Sequence, residues 1–198
     1  MRITDVILLA AGRSERMGQP KQLLDIKGVT MIQHTINVIQ KCSRIRHLVV
    51  VLGFQANRIQ NLVSKNRILI VENTNWSEGM GSSLRAGLRK ALEIIPAADD
   101  LLITVCDQPL LNAEVLENLI DQHRPTHITA ASYGDAFGTP ALFDRKFLPD
   151  LLSLPDQSGA RKLFEKYPQL IRKVPFPGGE FDLDTWDDYE KFISRSDS

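Results

Sequence analysis

Four short runs of apolar, largely β-branched residues, alternating with stretches of helical periodicity, constrain the fold of this chain more than any other feature. The runs are Asp5-Val-Ile-Leu-Leu-Ala10, His47-Leu-Val-Val-Val-Leu52, Ile68-Leu-Ile-Val71 and Leu101-Leu-Ile-Thr-Val105. They are continuous and not alternating with polar residues, the pattern of strands buried on both faces. Between and after them, apolar residues recur at helical spacing over residues 31–41, 55–65, 82–95 and 113–123. Strands alternating with helices predict a Rossmann-like, three-layer α/β/α sandwich around a mainly parallel sheet. Beyond Pro125 the pattern loosens. Residues 129–132 and 141–143 read as strands, 160–166 and 185–194 as helices, and the Pro/Gly-rich 175–179 as a turn. No internal repeat or long linker divides the chain, so residues 1–198 are expected to form one domain.

Charge removes several classes of function. Lys plus Arg and Asp plus Glu both number 24, so no global basic field exists of the kind that non-specific nucleic-acid binding requires. The longest apolar runs fall far below the roughly 20 residues that a membrane-spanning helix needs. Cys42 and Cys106 have no Cys-x-x-Cys spacing, and no secretory leader precedes the first apolar run. A cytoplasmic protein with neither nucleic-acid nor membrane partners is expected.

In an open α/β sheet, ligands bind where loops leave the carboxyl ends of the strands. Residues 12–21, 72–83 and 106–109 follow the first, third and fourth runs, so these loops should face one cleft. The first belongs to Leu9-Ala-Ala-Gly-Arg-Ser-Glu-Arg-Met-Gly-Gln-Pro-Lys-Gln-Leu-Leu24. Its glycines Gly12 and Gly18 allow close backbone approach, its N–H groups can face phosphate oxygens, and Arg13, Arg16 and Lys21 add positive charge. It reads as a polyphosphate cradle, against the plainer alternative of a basic surface turn. It is neither a Walker A loop nor a Gly-x-Gly-x-x-Gly dinucleotide fingerprint. Asp107, after a buried run and before Pro109, suits a hard cation such as Mg²⁺, or else caps the helix near Ala113. Asp182 and Asp184 share a face if extended. One of them is a candidate second carboxylate, and Asp184 is also a candidate cap for the last helix. Trp76 is open between stacking on a ligand and local packing, and the four histidines show no metal-ligand spacing.

Residues 9–24 resemble the signature of the molybdenum cofactor guanylyl- and cytidylyltransferase family. The likeness continues in order through Asn75-Trp-Ser-Glu-Gly-Met-Gly-Ser-Ser-Leu-Arg-Ala-Gly-Leu88, Cys106-Asp-Gln-Pro109, Gly138-Thr-Pro-Ala-Leu-Phe143, Ser158-Gly-Ala-Arg161 and Asp182-Leu-Asp-Thr185. The Leu-Ala-Ala-Gly form at residues 9–12 resembles the cytidylyl branch. The resemblance implies a Mg²⁺-dependent enzyme, Mn²⁺ being an alternative ion, that moves CMP from CTP to a molybdopterin-type acceptor and releases pyrophosphate. A molybdenum hydroxylase or its accessory chaperone is the implied partner. It further implies nucleotide contacts from Leu9, Ala10, Ala11, Gly12, Arg13, Ser14, Met17, Gly18, Lys21, Ser82 and Ser83. Lys21, Arg16 and Asp107 would be catalytic, with metal at Asp107, Asp182 and Asp184 and the acceptor near Gly138, Pro140 and Arg161. Ser82 and Ser83 would read the base, although plain N-capping of a helix over residues 84–95 explains them equally. One departure lies on the acceptor side: relatives often place Gly-Asp before the Gly-Ala-Arg block, where this chain has Asp156-Gln157 before Ser158. Transfer to a sugar or polyol phosphate, and non-catalytic cofactor binding, remain alternatives.

Overall fold

The structure is a computed structural model that describes residues 3–63, 68–96 and 98–196. In chain order its elements are β1 (Thr4–Ala10), β2 (Asp25–Ile26), β3 (Val29–Thr30), α1 (Met31–Lys41), β4 (Ile45–Leu52), α2 (Ala56–Ile59), β5 (Ile68–Glu72) and α3 (Met80–Ile94). They continue with β6 (Asp100–Val105), α4 (Ala113–Gln122), β7 (Ile128–Tyr133), β8 (Ala136–Asp144), α5 (Leu148–Leu152), α6 (Arg161–Lys166), β9 (Ile171–Pro175) and α7 (Trp186–Ser196). Seven strands form one sheet in the order β5-β4-β1-β6-β8-β7-β9, and β2 pairs with β3 in a small hairpin. Only β8 runs antiparallel to its neighbours in that sheet.

The continuous apolar runs of β1, β4 and β6 have the physical cause the sequence indicates, whereas β5, at the sheet edge, is only partly buried beyond Ile68. Along β1, Val6, Leu8 and Ala10 join the core beneath α1, α4 and α7, while Ile7 and Leu9 join a second core beneath α3, α5 and α6. A strand covered on both faces has no solvent side, so alternation disappears. These two cores make the expected three layers. Helix α3 packs tightly on the sheet at Gly87, where a Cβ would stand 2.7 Å from both Ile7 Cγ2 and Val51 Cγ2.

Several boundaries differ from expectation. Residues 55–65 do not make one helix: Gln55 adopts a left-handed φ of 53°, α2 lasts four residues and a 3₁₀ turn, Gln60–Leu62, follows. Ala56, Ile59 and Val63 are all buried, so their helical spacing reflects core contacts made by two different kinds of turn; Lys65 lies outside the described residues. Helix α3 starts at Met80, not at residue 82. The turn over 175–179 is preceded by β9, an edge strand whose Lys173 and Pro175 are exposed. Arg172 and Lys173 interrupt its apolar residues, so its signal in the sequence is weak.

The order of strands reverses at β1: the chain moves to one side for β4 and β5, then returns to place β6 on the other. The carboxyl ends of β1 and β6 therefore border the crevice where ligands of open α/β sheets bind. Overpacking beneath α3 should be costly. Gly87→Val is expected to destabilise the protein by about 1–3 kcal/mol, read as a lower urea midpoint with an unchanged slope.

Candidate active site

At that reversal lies a cleft of about 650 Å³. Its walls come from the loop after β1, the residues that join β5 to α3, and Cys106 and Asp107 after β6, the three loops expected to converge. Leu9, Ala10, Ala11, Gly12 and Ser14 line it, as do the charged Arg13, Arg16 and Lys21. Met17 and Gly18 do not. Met17 is buried in the core and its carbonyl accepts from Trp186 Nε1 at 3.0 Å, while Gly18 ends the 3₁₀ turn Glu15–Met17 with a φ of 68°. They shape the loop from behind.

Local hydrogen bonds give the first loop its form. Ser14 sits in the left-handed region at φ 58°, and its Oγ accepts from Lys21 N at 3.1 Å. Gln22, buried below the loop, donates from Nε2 to the carbonyls of Ala10 and Gly12 at 2.8 and 3.0 Å. Both carbonyls are thereby turned inward, as phosphate binding by the loop's N–H groups requires. Sequence patterning does not single out Gln22; its one local signal is an amide beside the partly buried Leu23 and the buried Leu24.

The charged centre joins three distant segments. Lys21 Nζ donates to Asp107 Oδ2 and to Asp184 Oδ1, each at 2.8 Å, and Arg16 pairs with Asp184 Oδ2 at 2.5 Å. Burial pulls the Lys21 pKa down, but the charges and hydrogen bonds of Asp107 and Asp184 outweigh it and hold the ammonium above its ordinary value. Burial likewise works against ionised Asp184, and Lys21 and Arg16 overcome it, leaving that carboxyl below its usual range. Leu183 N donates to Asp107 O at 2.9 Å, which brings the Asp-x-Asp segment beside the end of β6.

The capping alternatives can now be decided. Asn112, not Asp107, caps α4, its side chain accepting from Val115 N at 3.0 Å. Thr185 and Asp188 cap α7 reciprocally: Asp188 Oδ2 accepts from Thr185 N at 2.9 Å and Thr185 Oγ1 from Asp188 N at 3.2 Å. Asp107 and Asp184 are thus free of helix capping. Asp107 Oδ1 is buried with no hydrogen-bond partner among the described residues, an oxygen that a cation would satisfy.

The three expected metal carboxylates do not form one set. Among the described residues no three His, Cys, Asp or Glu side chains gather to hold an ion; Asp107 and Asp184 face the cleft, whereas Asp182 is absent from its lining. Asp182 keeps a solvent-exposed edge, yet the protein packed around its carboxyl, then the charges of Asp107 and Asp184, push its pKa up to about 7.

Ser82 and Ser83 lie inside the first turn of α3 and so do not cap it. Both are buried and held by Asn73, whose Nδ2 donates to each hydroxyl at 3.0 Å. Ser83 lines the cleft and Ser82 does not. Trp76 is part of the cleft wall, packed edge-to-face on Phe54 at 5.3 Å. Gly79, with a φ of 130°, and Gly81 lie so close to residues 155–158 that a Cβ on either would strike that backbone. Asp156 fixes this contact by pairing with Arg85 and accepting from Gly81 N. The departure at residues 156–157 therefore supports the wall of the cleft.

Gly138, Pro140 and Arg161 lie outside the cleft lining. Pro140 is buried in β8 and Arg161 is exposed at the start of α6. Gly138 abuts the hydroxyl of Tyr133. Burial, then Asp182, raises the Tyr133 pKa, which Arg161 opposes, so these groups share one neighbourhood.

The fold and the cleft define a nucleotidyltransferase. Residues 6–171 match the profile of the MobA-like NTP transferase domain, and the chain belongs to that family. It is 31% identical to nicotine blue oxidoreductase of Paenarthrobacter nicotinovorans, over 83% of each chain. It is 25% identical to molybdenum cofactor cytidylyltransferase of Escherichia coli, over 96% of this chain and 95% of that one. Against bifunctional GlmU of Mycobacterium marinum it is 36% identical but spans only 26% of that protein's length. A solved structure of Rv0371c from Mycobacterium tuberculosis in complex with manganese superposes with a TM-score of 0.79 at 28% identity, covering 98% of this chain and 99% of that one. Among the described residues no helix is long and apolar enough to cross a membrane.

The raised pKa of Asp182 has a stability consequence. Because its folded value of about 7 exceeds the ordinary 3.8, the folded state holds the proton more tightly, and stability falls as pH rises between those values. The exposed edge of the carboxyl keeps the effect modest. In chelator, Asp182→Asn should melt at a higher temperature than the parent at pH 8 and at the same temperature near pH 3.5; a pH-independent difference would contradict the assignment.

Proposed function

We propose that this protein is a Mg²⁺-dependent cytidylyltransferase, working in the cytoplasm, that transfers CMP from CTP to a molybdopterin-type acceptor and releases pyrophosphate. The observation that carries the reading is the meeting, at the strand-order reversal, of the loop after β1 with Asp107 and Asp184 across the Lys21 ammonium. The likeness to molybdenum cofactor cytidylyltransferase over nearly the whole chain and the Leu-Ala-Ala-Gly sequence at residues 9–12 support the choice of CTP and acceptor. Delivery of the product to a molybdenum hydroxylase or its chaperone belongs to the same reading.

In the proposed reaction a terminal phosphate oxygen of the acceptor attacks the α-phosphorus of CTP in line, and the bond to the pyrophosphate oxygen breaks. No protein nucleophile takes part. Backbone N–H groups of residues 10–14 orient the triphosphate, while Arg13, Arg16 and Lys21 neutralise the leaving pyrophosphate. Asp107 and Asp184 are the residues that would hold Mg²⁺ or Mn²⁺, which supplies further positive charge against the phosphates. Asp184 is preferred to Asp182 because it lines the cleft and shares Lys21 with Asp107. The acceptor is assigned to the side of Tyr133, Gly138, Pro140 and Arg161. The manganese complex of Rv0371c is consistent with a divalent ion.

Pyrophosphate release from each of the four NTPs, with and without molybdopterin, tests the reading. CTP should be the preferred donor and molybdopterin the required acceptor. Preference for GTP would overturn the base assignment, turnover with a sugar phosphate alone would overturn the acceptor, and tight NADH or NADPH binding would favour a redox role like that in the name of the 31%-identical relative. Asp107→Asn should fold normally but lose at least about a hundredfold in turnover, the equivalent of roughly 3 kcal/mol of charge stabilisation. Unchanged turnover and metal dependence would remove Asp107 from the mechanism.

A further inference from the structure

Asn73 stands directly after β5, is 7% exposed, and has no place in the mechanism above. Its orientation is fixed by an unambiguous donor: Asn75 N–H donates to Asn73 Oδ1 at 3.1 Å, so the other amide atom is nitrogen and can only donate. That nitrogen gives its two protons to Ser82 Oγ and Ser83 Oγ. Ser82 commits its own proton to Asn75 O at 3.0 Å, nearer than the alternative acceptor, Asn73 Oδ1, at 3.4 Å. Ser83 differs. Its hydroxyl accepts from Asn73, forms no bond to the carbonyl one helical turn back among the described residues, and belongs to the residue that lines the cleft opposite the loop after β1.

We propose that Asn73 is a specificity-determining positioning residue: by donating to Ser83 it fixes that hydroxyl as a hydrogen-bond donor toward the cleft, so the site selects a nucleobase presenting an acceptor there. The inference rests on the proposed reading that the cleft takes a nucleotide with its base beside Ser83. A hydroxyl can donate or accept, and left to rotate it would greet either kind of base edge. An amide nitrogen behind it occupies one lone pair and cannot take the hydroxyl proton, so the O–H is left for the cleft. Cytosine O2 is an acceptor of the required kind, and a base offering N–H at that point would leave two donors opposed in a buried site, which is costly.

The test uses two ligands that share phosphates but not a base: CTP and inorganic tripolyphosphate, each titrated calorimetrically with Mg²⁺. Asn73→Asp keeps the shape but accepts where Asn73 donates, so the Ser83 proton turns away from the cleft. CTP should then bind about tenfold more weakly, with the CTP-to-tripolyphosphate ratio falling by the same factor. Taking the ratio cancels the added negative charge. Ser83→Ala should reproduce the loss, and the double variant should bind CTP no worse than the weaker single variant, since both act through one hydroxyl. Should Asn73→Asp fail to fold, Asn73→Ala removes the donor without adding charge and should lower the ratio in the same direction.

Equal weakening of CTP and tripolyphosphate would reduce Asn73 to a structural role and overturn the proposal. A loss with Ser83→Ala but not with the Asn73 variants would also overturn it, while leaving the base beside Ser83. No loss with Ser83→Ala would refute the placement of the base itself.

Discussion

The Lys21 ammonium between Asp107 and Asp184 is the interaction on which the site depends. Two carboxylates held near one another repel unless a cation lies between them, and here that cation comes from the loop after β1. One nitrogen therefore fastens three segments that are far apart in sequence. Partly buried ion pairs add little net stability because desolvation offsets their attraction. Their contribution here is geometric: the strand ends, the phosphate loop and the Asp-x-Asp segment have one arrangement that satisfies all three charges. In this arrangement the two carboxylates and the lysine neutralise one another; under the proposed function they would do so until a cation and phosphates take their places.

Around this centre, polar side chains set backbone shape. Gln22 turns the carbonyls of Ala10 and Gly12 inward, and Ser14 Oγ holds the strained turn that brings Lys21 back over the sheet. The terminal helix closes the loop from outside, with Trp186 bonded to the Met17 carbonyl and Tyr189 to that of Asp25. On the opposite wall, Gly79 and Gly81 let the start of α3 touch residues 155–158, where any side chain would collide with backbone. Asp156 and Arg85 complete that contact. The loops around the cleft are thus held by hydrogen bonds made with their backbones, the means by which a site is preorganised.

The strands β1, β4, β5 and β6, the three layers and the loops that meet at the cleft are all legible in the sequence. These features follow from apolar burial and chain order, both of which are written locally. The elements that are not legible there each lack a long periodic signal. The edge strand β9 buries only Val174 fully and carries Arg172 and Lys173 among its apolar residues; α5 is a single turn; the helix assigned to residues 55–65 combines turns of two kinds that put Ala56, Ile59 and Val63 into one core. Met17 looked like part of the cradle because it sits between glycine and arginine, yet its apolar side chain is worth more in the core than beside phosphates.

What the sequence determined by itself is the order of strands and helices and the chemical kind of the site, because burial pattern, glycine placement and charged residue types are properties of short segments. Tertiary structure decided which of those residues meet. It brought Asp184, with Asp107, to the Lys21 ammonium, and gave the capping of α4 and α7 to Asn112, Thr185 and Asp188. It also placed Asn73 behind the two serines. Such choices turn on distances of a few ångströms between segments up to 163 residues apart. They are fixed only when the sheet brings its strand ends together, since neither charge nor hydrogen bonding reaches across an unfolded chain.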